Sequence, residues 1–467
     1  IIAHFSLPRM QRRGMRAAEV DRRRLGGDNR RMELLSPAGS AEKLAYAYRY
    51  GADAAYIGLP NFSLRTRAEN IDDADDQAPE RLRAIKAAFP GPPKKLYGAL
   101  NIYFHDKDLE ALRHALPRIA EYPFDGFIVS DLGAYDLLRE AFPDREFHLS
   151  TQANCTSWRA AKVYRDMGFS RVVPARELSL GEIAEIKDRV PGLEVEVFVH
   201  GAMCMAYSGR CFISSWLTGR SANEGDCTHS CRWNYRVYLE EEKRPGQFFP
   251  VEGGETAQGP YSLVMSSRDT CMIDHLAELE AAGVDAVKIE GRMKSLYYVA
   301  LATRAYRWGL DRPGEPNPFR EDLFAISHRE YDTGFYFGRL GMDVSAVASY
   351  RQAHLFAGSL EEAPPAIADS LGAPADLPAL FGRFREDGWS EPAYAELKNT
   401  IPEGAVLEAI APDSGPLRLR PGDYRFFDAD GAVGPQARHG KAWFLQARLE
   451  ALGGRVPGAF WLLRLAV

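Results

Sequence analysis

Glu33-Leu34-Leu35-Ser36-Pro37-Ala38-Gly39 opens the stretch that decides the fold. A short apolar strand stops at the Ser-Pro-Ala-Gly turn, and Ala41 to Tyr50 then carry apolar residues at helical spacing up to Gly51. Ala54-Ala55-Tyr56-Ile57 reads as a second strand ending at Gly58. Strand, helix and strand in that order make a unit whose two strands pair in parallel through a right-handed crossover.

The same unit recurs along the chain. Residues 78–89 read as a helix, Leu96–Leu100 as a strand and 108–121 as a helix. Gly126–Val129, Glu146–Leu149, Arg171–Pro174, Val195–Val199 and Ala286–Ile289 follow as strands. Helices are expected between them, near 157–167, 179–188 and 272–282 among others. Eight strands separated by helices predict a (β/α)8 TIM-like barrel over residues 32–340, with a cysteine-rich insertion at 201–260. A doubly wound open sheet is the alternative, but no Gly-x-Gly-x-x-Gly turn follows the first strand.

Beyond about 340 the pattern changes. Residues 363–385 are rich in Pro, Ala and Asp and read as a loop or linker. Short alternating runs at 393–397, 406–410, 424–427, 443–445 and 460–463, with a turn at Pro421-Gly422-Asp423, predict a small β-barrel-like C-terminal domain over 341–467. Residues 1–31 are arginine-rich and lack an apolar core of the secretory type. They are read as a basic leader, unstructured or not native, with Met32 as the start.

Composition bounds the function. The chain has 467 residues, is 46% hydrophobic and 26% charged, and has a net charge of -6. Mean hydropathy is -0.31. These values exclude disordered, collagen-like and membrane-spanning classes and predict a cytoplasmic protein with no membrane partner. An anionic partner would need a local basic patch. In a barrel of this kind, polar residues just after the strands converge on one face, where active sites lie. Here they include Asn101, Asp131, Gln152, Arg176, Glu177, His200, Glu290 and Arg292. For any one of them, a solvated strand end is the plainer explanation.

Six cysteines are too few for a disulfide framework. Four of them, Cys204, Cys211, Cys227 and Cys231, fall within one short stretch beyond the seventh strand, among Gly201, Gly209, Gly219 and Gly225. Four thiolates suit a soft metal, either zinc or iron–sulfur. The spacing lacks the paired C-x2-C knuckles usual for zinc ribbons, and spacing alone leaves both open. A site over the barrel mouth favours a redox cluster. Cys271 is a candidate replacement ligand, and Cys155 is read as structural.

The run Glu196-Val197-Phe198-Val199-His200-Gly201-Ala202-Met203-Cys204, continuing through Tyr207-Ser208-Gly209-Arg210-Cys211, resembles the collagenase-like peptidase family. So do Glu33–Gly39, Ser63-Leu64-Arg65, Ser150–Asn154, Arg176–Ser179, Cys227–Trp233 and Lys288–Lys294, in the same order over about residues 32 to 340. The likeness is strongest to the branch that forms 5-hydroxyuridine in tRNA. It implies an iron–sulfur cluster, most simply 4Fe-4S, on the four cysteines. It further implies tRNA as substrate, prephenate as a required metabolite, and no need for molecular oxygen. A sister branch hydroxylates a ribosomal RNA cytidine.

Such a reaction needs cations for a small dicarboxylate or for RNA phosphate. Arg65, Arg67, Arg176, Lys288, Arg292 and Lys294 are candidates, with Gln152 beside them as a binding residue. It needs a proton-handling group, for which His200 and Glu290 are candidates. Tyr207 and Trp233 could stack an extruded base. A peptidase is the runner-up, through a His200–Cys204 pair. Helical His-Glu-x-x-His is absent, which argues against a metalloprotease. A non-catalytic RNA-binding protein ranks third. Protein partners are not indicated.

Overall fold

The computed structural model describes the chain except residues 1–30, 65–74, 234, 236, 241, 247, 252–253, 257–258, 262–266, 339–350, 363–375, 435 and 467. The basic leader, Arg65, Arg67 and the expected boundary near 341 therefore lie outside the described residues.

Eight parallel strands form the barrel: β1 (Glu33–Pro37), β2 (Ala54–Gly58), β3 (Lys95–Leu100), β4 (Gly126–Val129), β5 (Glu146–Leu149), β6 (Arg171–Val172), β7 (Glu194–Ala202) and β8 (Ala286–Ile289). They pair in sequence order, and β8 closes the ring by pairing with both β1 and β7. The helices start where the sequence supplies caps. Ser40, Asp131, Ser157, Ser179 and Ser295 each accept a backbone N–H in the first turn of the helix they open. Asp131, a candidate strand-end residue, is thus occupied in capping.

A long helix after β8 escapes the sequence reading. The helix Leu296–Asp311 follows β8 and is buried around most of its circumference. It packs on the barrel on one side. On the other, its Tyr297 hydroxyl receives a hydrogen bond from Arg464 at 2.9 Å, and its Arg304 donates to the Ala411 carbonyl at 2.8 Å. A helix covered on both sides shows no amphipathic stripe, which is why periodicity passes over it.

The barrel interior is unusual. Its apolar part is small, comprising Leu35, Ala54, Tyr56, Tyr97, Ala99 and Ile128. Beside it lies a charged layer. Buried Arg171 reaches Glu33 (2.7 Å), Glu194 (2.7 Å) and Glu196 (3.1 Å), and Lys288 reaches Glu196 at 2.8 Å.

The C-terminal part is a seven-stranded antiparallel sheet. Strand 461–466 lies between 354–361 and 407–410, with 417–419 and 424–428 at the two ends. Those end strands are not paired with each other among the described residues, so the expected small β-barrel is here an open sheet. The expected linker also needs correction: Asp376–Arg383 is a helix, whose Leu380 packs on Phe427 and Phe444.

Candidate active site at the barrel mouth

At the C-terminal ends of the strands, the loop after β7 folds back over the barrel and encloses a cavity of about 130 Å³. Cys204, Cys211, Cys227 and Cys231 all line it, together with Gln152, Arg176, Lys288, Glu290 and Arg292. Tyr56 and Phe198 project into it from the strands.

The loop is held by its backbone. Glu177 accepts hydrogen bonds from the Ser208 N–H at 2.9 Å and the Ser208 hydroxyl at 3.1 Å. Asn154 donates to the Ser208 carbonyl at 2.9 Å. Asn223 brackets Cys211: its amide nitrogen donates to the Cys211 carbonyl (2.8 Å) and its oxygen accepts the Cys211 N–H (3.3 Å). Gly209 has φ 69°, and a Cβ there would overlap the Gln152 carbonyl, so glycine is required for this close approach. Sequence reasoning missed this scaffold. Glu177 was legible as a strand-end acid, but nothing local marks Ser208 or Asn223.

The cations sit on the cavity floor. The Lys288 ammonium lies 4.5 Å from the Tyr56 ring centre, and the Arg176 guanidinium 3.9 Å from that of Phe198. Arg176 also donates to the Ala202 carbonyl at 2.7 Å, and Arg292 donates to the Ser63 hydroxyl and the Leu64 carbonyl. Burial pushes the Lys288 pKa down, opposed by Glu196. Burial also acts to raise Glu196, but Lys288 and Arg171 outweigh it and hold that carboxyl at about 2. The ion-pair partner of Lys288 is Glu196, inside the barrel, and not the neighbouring Glu290.

His200 is not brought to the cavity. The β7–β8 pairing shifts register, so that Lys288 faces Phe198 but Ile289 faces His200. The additional residue on β7 reverses the alternation, and His200 turns outward while Glu196 and Phe198 point in. Its ring lies against Tyr298, Tyr306 and Tyr331, with the last two hydroxyls 3.4 Å from Nδ1 and Nε2. Burial, then Lys294 and His328, push its pKa down to about 3. Neither nitrogen meets a cysteine.

Cys271 stands apart from the four. It lies on a short strand, Asp269–Cys271, that runs antiparallel to β7, and its thiol is 3.8 Å from the Tyr306 hydroxyl. Cys155 is in the core. Burial raises both thiols to about 11. Cys231 is raised by burial, and Cys204, Cys227 and Cys211 each add to the rise, so the four thiols share one electrostatic neighbourhood. Among the described residues, no three His, Cys, Asp or Glu side chains are gathered to hold a single metal ion.

The peptidase family U32 profile matches residues 39–345. The chain belongs to that family. Within it, the chain is 38% identical over 344 residues to "tRNA hydroxylation protein P" of Escherichia coli, covering 65% of this chain and 74% of the relative. It is 37% identical over 282 residues to the "23S rRNA 5-hydroxycytidine C2501 synthase" of the same organism, covering 60% of this chain and 39% of the relative. A family member called "Collagenase" in Porphyromonas gingivalis is 29% identical over 327 residues, covering 66% and 74%. The matched family region ends before the C-terminal sheet. No helix among the described residues is long and apolar enough to cross a membrane.

Proposed function

We propose that this chain hydroxylates an RNA base, converting the wobble uridine of tRNA to 5-hydroxyuridine. The observation that carries the reading is the convergence of four thiols and three cations, Arg176, Lys288 and Arg292, on one cavity at the barrel mouth. The tRNA and rRNA hydroxylation for which these relatives are named supports RNA hydroxylation as the class.

Cys204, Cys211, Cys227 and Cys231 would hold an iron–sulfur cluster, which supplies one-electron chemistry at the cavity. The donor set fits by its chemistry: all four cysteines line the cavity and no histidine does. Zinc would draw four sulfurs to about 2.3 Å from a single point. Arg176, Lys288 and Arg292 would bind the carboxylates of a small dicarboxylate such as prephenate, Arg in bidentate fashion. Glu196 opposes the downward push of burial on the Lys288 pKa. Glu290, at the tip of β8 and facing the cavity, is placed to accept or return a proton. The peptidase alternative loses its pair, since His200 lies behind the strand.

Mass spectrometry of tRNA from a deletion strain tests the reading. Loss of 5-hydroxyuridine at the wobble position is expected, restored by the wild-type chain. Unchanged tRNA with a missing ribosomal 5-hydroxycytidine would move the substrate to ribosomal RNA. No change in either RNA would overturn the proposal.

A further inference from the structure

Exposed aromatic side chains concentrate on the cysteine-rich insertion. Six large aromatic residues stand exposed among the described residues, and five lie between 207 and 238: Tyr207, Phe212, Trp216, Trp233 and Tyr238. Phe212 is 71% exposed and Trp216 73%. Rings left in water at this density mark a binding surface, whereas single exposed apolar residues do not.

Three of these rings, Phe212, Trp216 and Trp233, share one framework. Trp216 sits on the short helix Ile213–Thr218, which begins directly after Phe212. Ser214 of that helix is hydrogen-bonded to Thr228 at 3.0 Å, and the Trp233 indole donates to the Thr228 carbonyl at 3.2 Å. Tyr207 and Ile213 line the cavity itself, so the surface is continuous with the site. Arg210 and Arg232 bring positive charge beside the rings, whereas Arg220 is paired with Asp226. Arg210 donates a hydrogen bond to the Tyr103 hydroxyl at 2.9 Å.

We propose that this surface stacks the unpaired bases flanking the target nucleotide in a single-stranded RNA loop. The proposal rests on the RNA-modifying reading above and deepens it by assigning the binding surface. A base that enters the cavity meets Tyr207, which lines it, and its neighbours would lie on the rings beside it. Stacking on aromatic faces needs bases that are not already stacked in a duplex, so the surface selects loops. Arginine contacts to phosphate hold the strand in register without reading sequence.

Fluorescence anisotropy with the full-length, iron-loaded protein tests this. The probes are a labelled RNA hairpin with an unpaired loop and a blunt RNA duplex of the same stem. The double variant Phe212→Ala/Trp216→Ala is expected to weaken hairpin binding about tenfold or more and to leave duplex binding unchanged. Phe337→Ala, the exposed aromatic outside the insertion, should leave both unchanged. If the double variant loses its iron, Trp216→Ala alone keeps the test decisive. Equal hairpin affinity in variant and wild type overturns the proposal. So does an equal loss on the duplex, or loss of a co-purifying protein with RNA affinity intact. A wild type that binds the hairpin through these rings, in a species whose RNA is unchanged by deletion, would leave this surface standing while the hydroxylase reading falls.

Discussion

Glu196→Gln removes one charge from the middle of the barrel. Its carboxyl is fully buried, with Lys288 at 2.8 Å and Arg171 at 3.1 Å. Its pKa falls from 4.5 to about 2 on folding, against the upward push of burial. At 1.36 kcal/mol per unit, that is worth about 3 kcal/mol. The value agrees with the roughly 3–5 kcal/mol lost when one partner of a buried pair is removed. The sign follows from the depressed pKa: the contribution is complete above pH 4.5 and is lost as pH falls through about 2. Urea unfolding of wild type and E196Q should therefore differ by about 3 kcal/mol at pH 7, and by roughly half as much or less near pH 3. Lys288 is left buried without its counter-charge in E196Q. The double variant E196Q/K288M should accordingly be more stable than E196Q, by about 1 kcal/mol or more. A gap below about 0.5 kcal/mol at pH 7, a gap independent of pH, or a double variant no better than E196Q would refute the reasoning.

Other consequences can be measured. His200 and His148 are held neutral, with pKa values near 3 and 4 that burial sets first, while the unfolded chain takes up protons below about 6.5. Stability should therefore decline as pH falls from about 6.5 toward 4, and His200→Phe should flatten that decline in thermal unfolding while hydroxylation persists. A catalytic His200 would instead abolish product. Gly209→Ala forces a Cβ onto the Gln152 carbonyl at φ 69°, so iron content should fall sharply, with about 1–3 kcal/mol of strain. Iron retained at wild-type level would contradict the close approach. Cys204→Ser, Cys211→Ser, Cys227→Ser and Cys231→Ser should each lose iron by elemental analysis, and Cys155→Ser and Cys271→Ser should keep it. Iron lost in Cys271→Ser and kept in one of the four would redraw the ligand set.

Much of the fold was legible because its signals are local. Strand runs ending at Gly58, Val129 and Leu149, and serine caps ahead of the helices, each fall within a few residues of sequence. The cysteine cluster was legible for the same reason. Helix Leu296–Asp311 and strand 354–361 were not, because burial on both sides erases the alternation that reveals an element. Gln152, Arg176, Glu290 and Arg292, singled out for their positions after strands, do line the cavity, as does Lys288, which was singled out as a candidate cation from within β8. His200 was found by the same rule and placed on the wrong face, because a one-residue bulge reverses a strand without changing its composition.

The chain's order of strands and helices, its eight-fold repetition and its grouping of four thiols were settled by sequence, since each depends on residues near one another along the backbone. The tertiary structure alone decided that Lys288 answers to Glu196, that Glu177 and Asn223 hold the cysteine loop, and that His200 faces tyrosines instead of the cavity. Those pairings join residues tens to hundreds of positions apart, and only barrel closure and strand register bring them within a few ångströms.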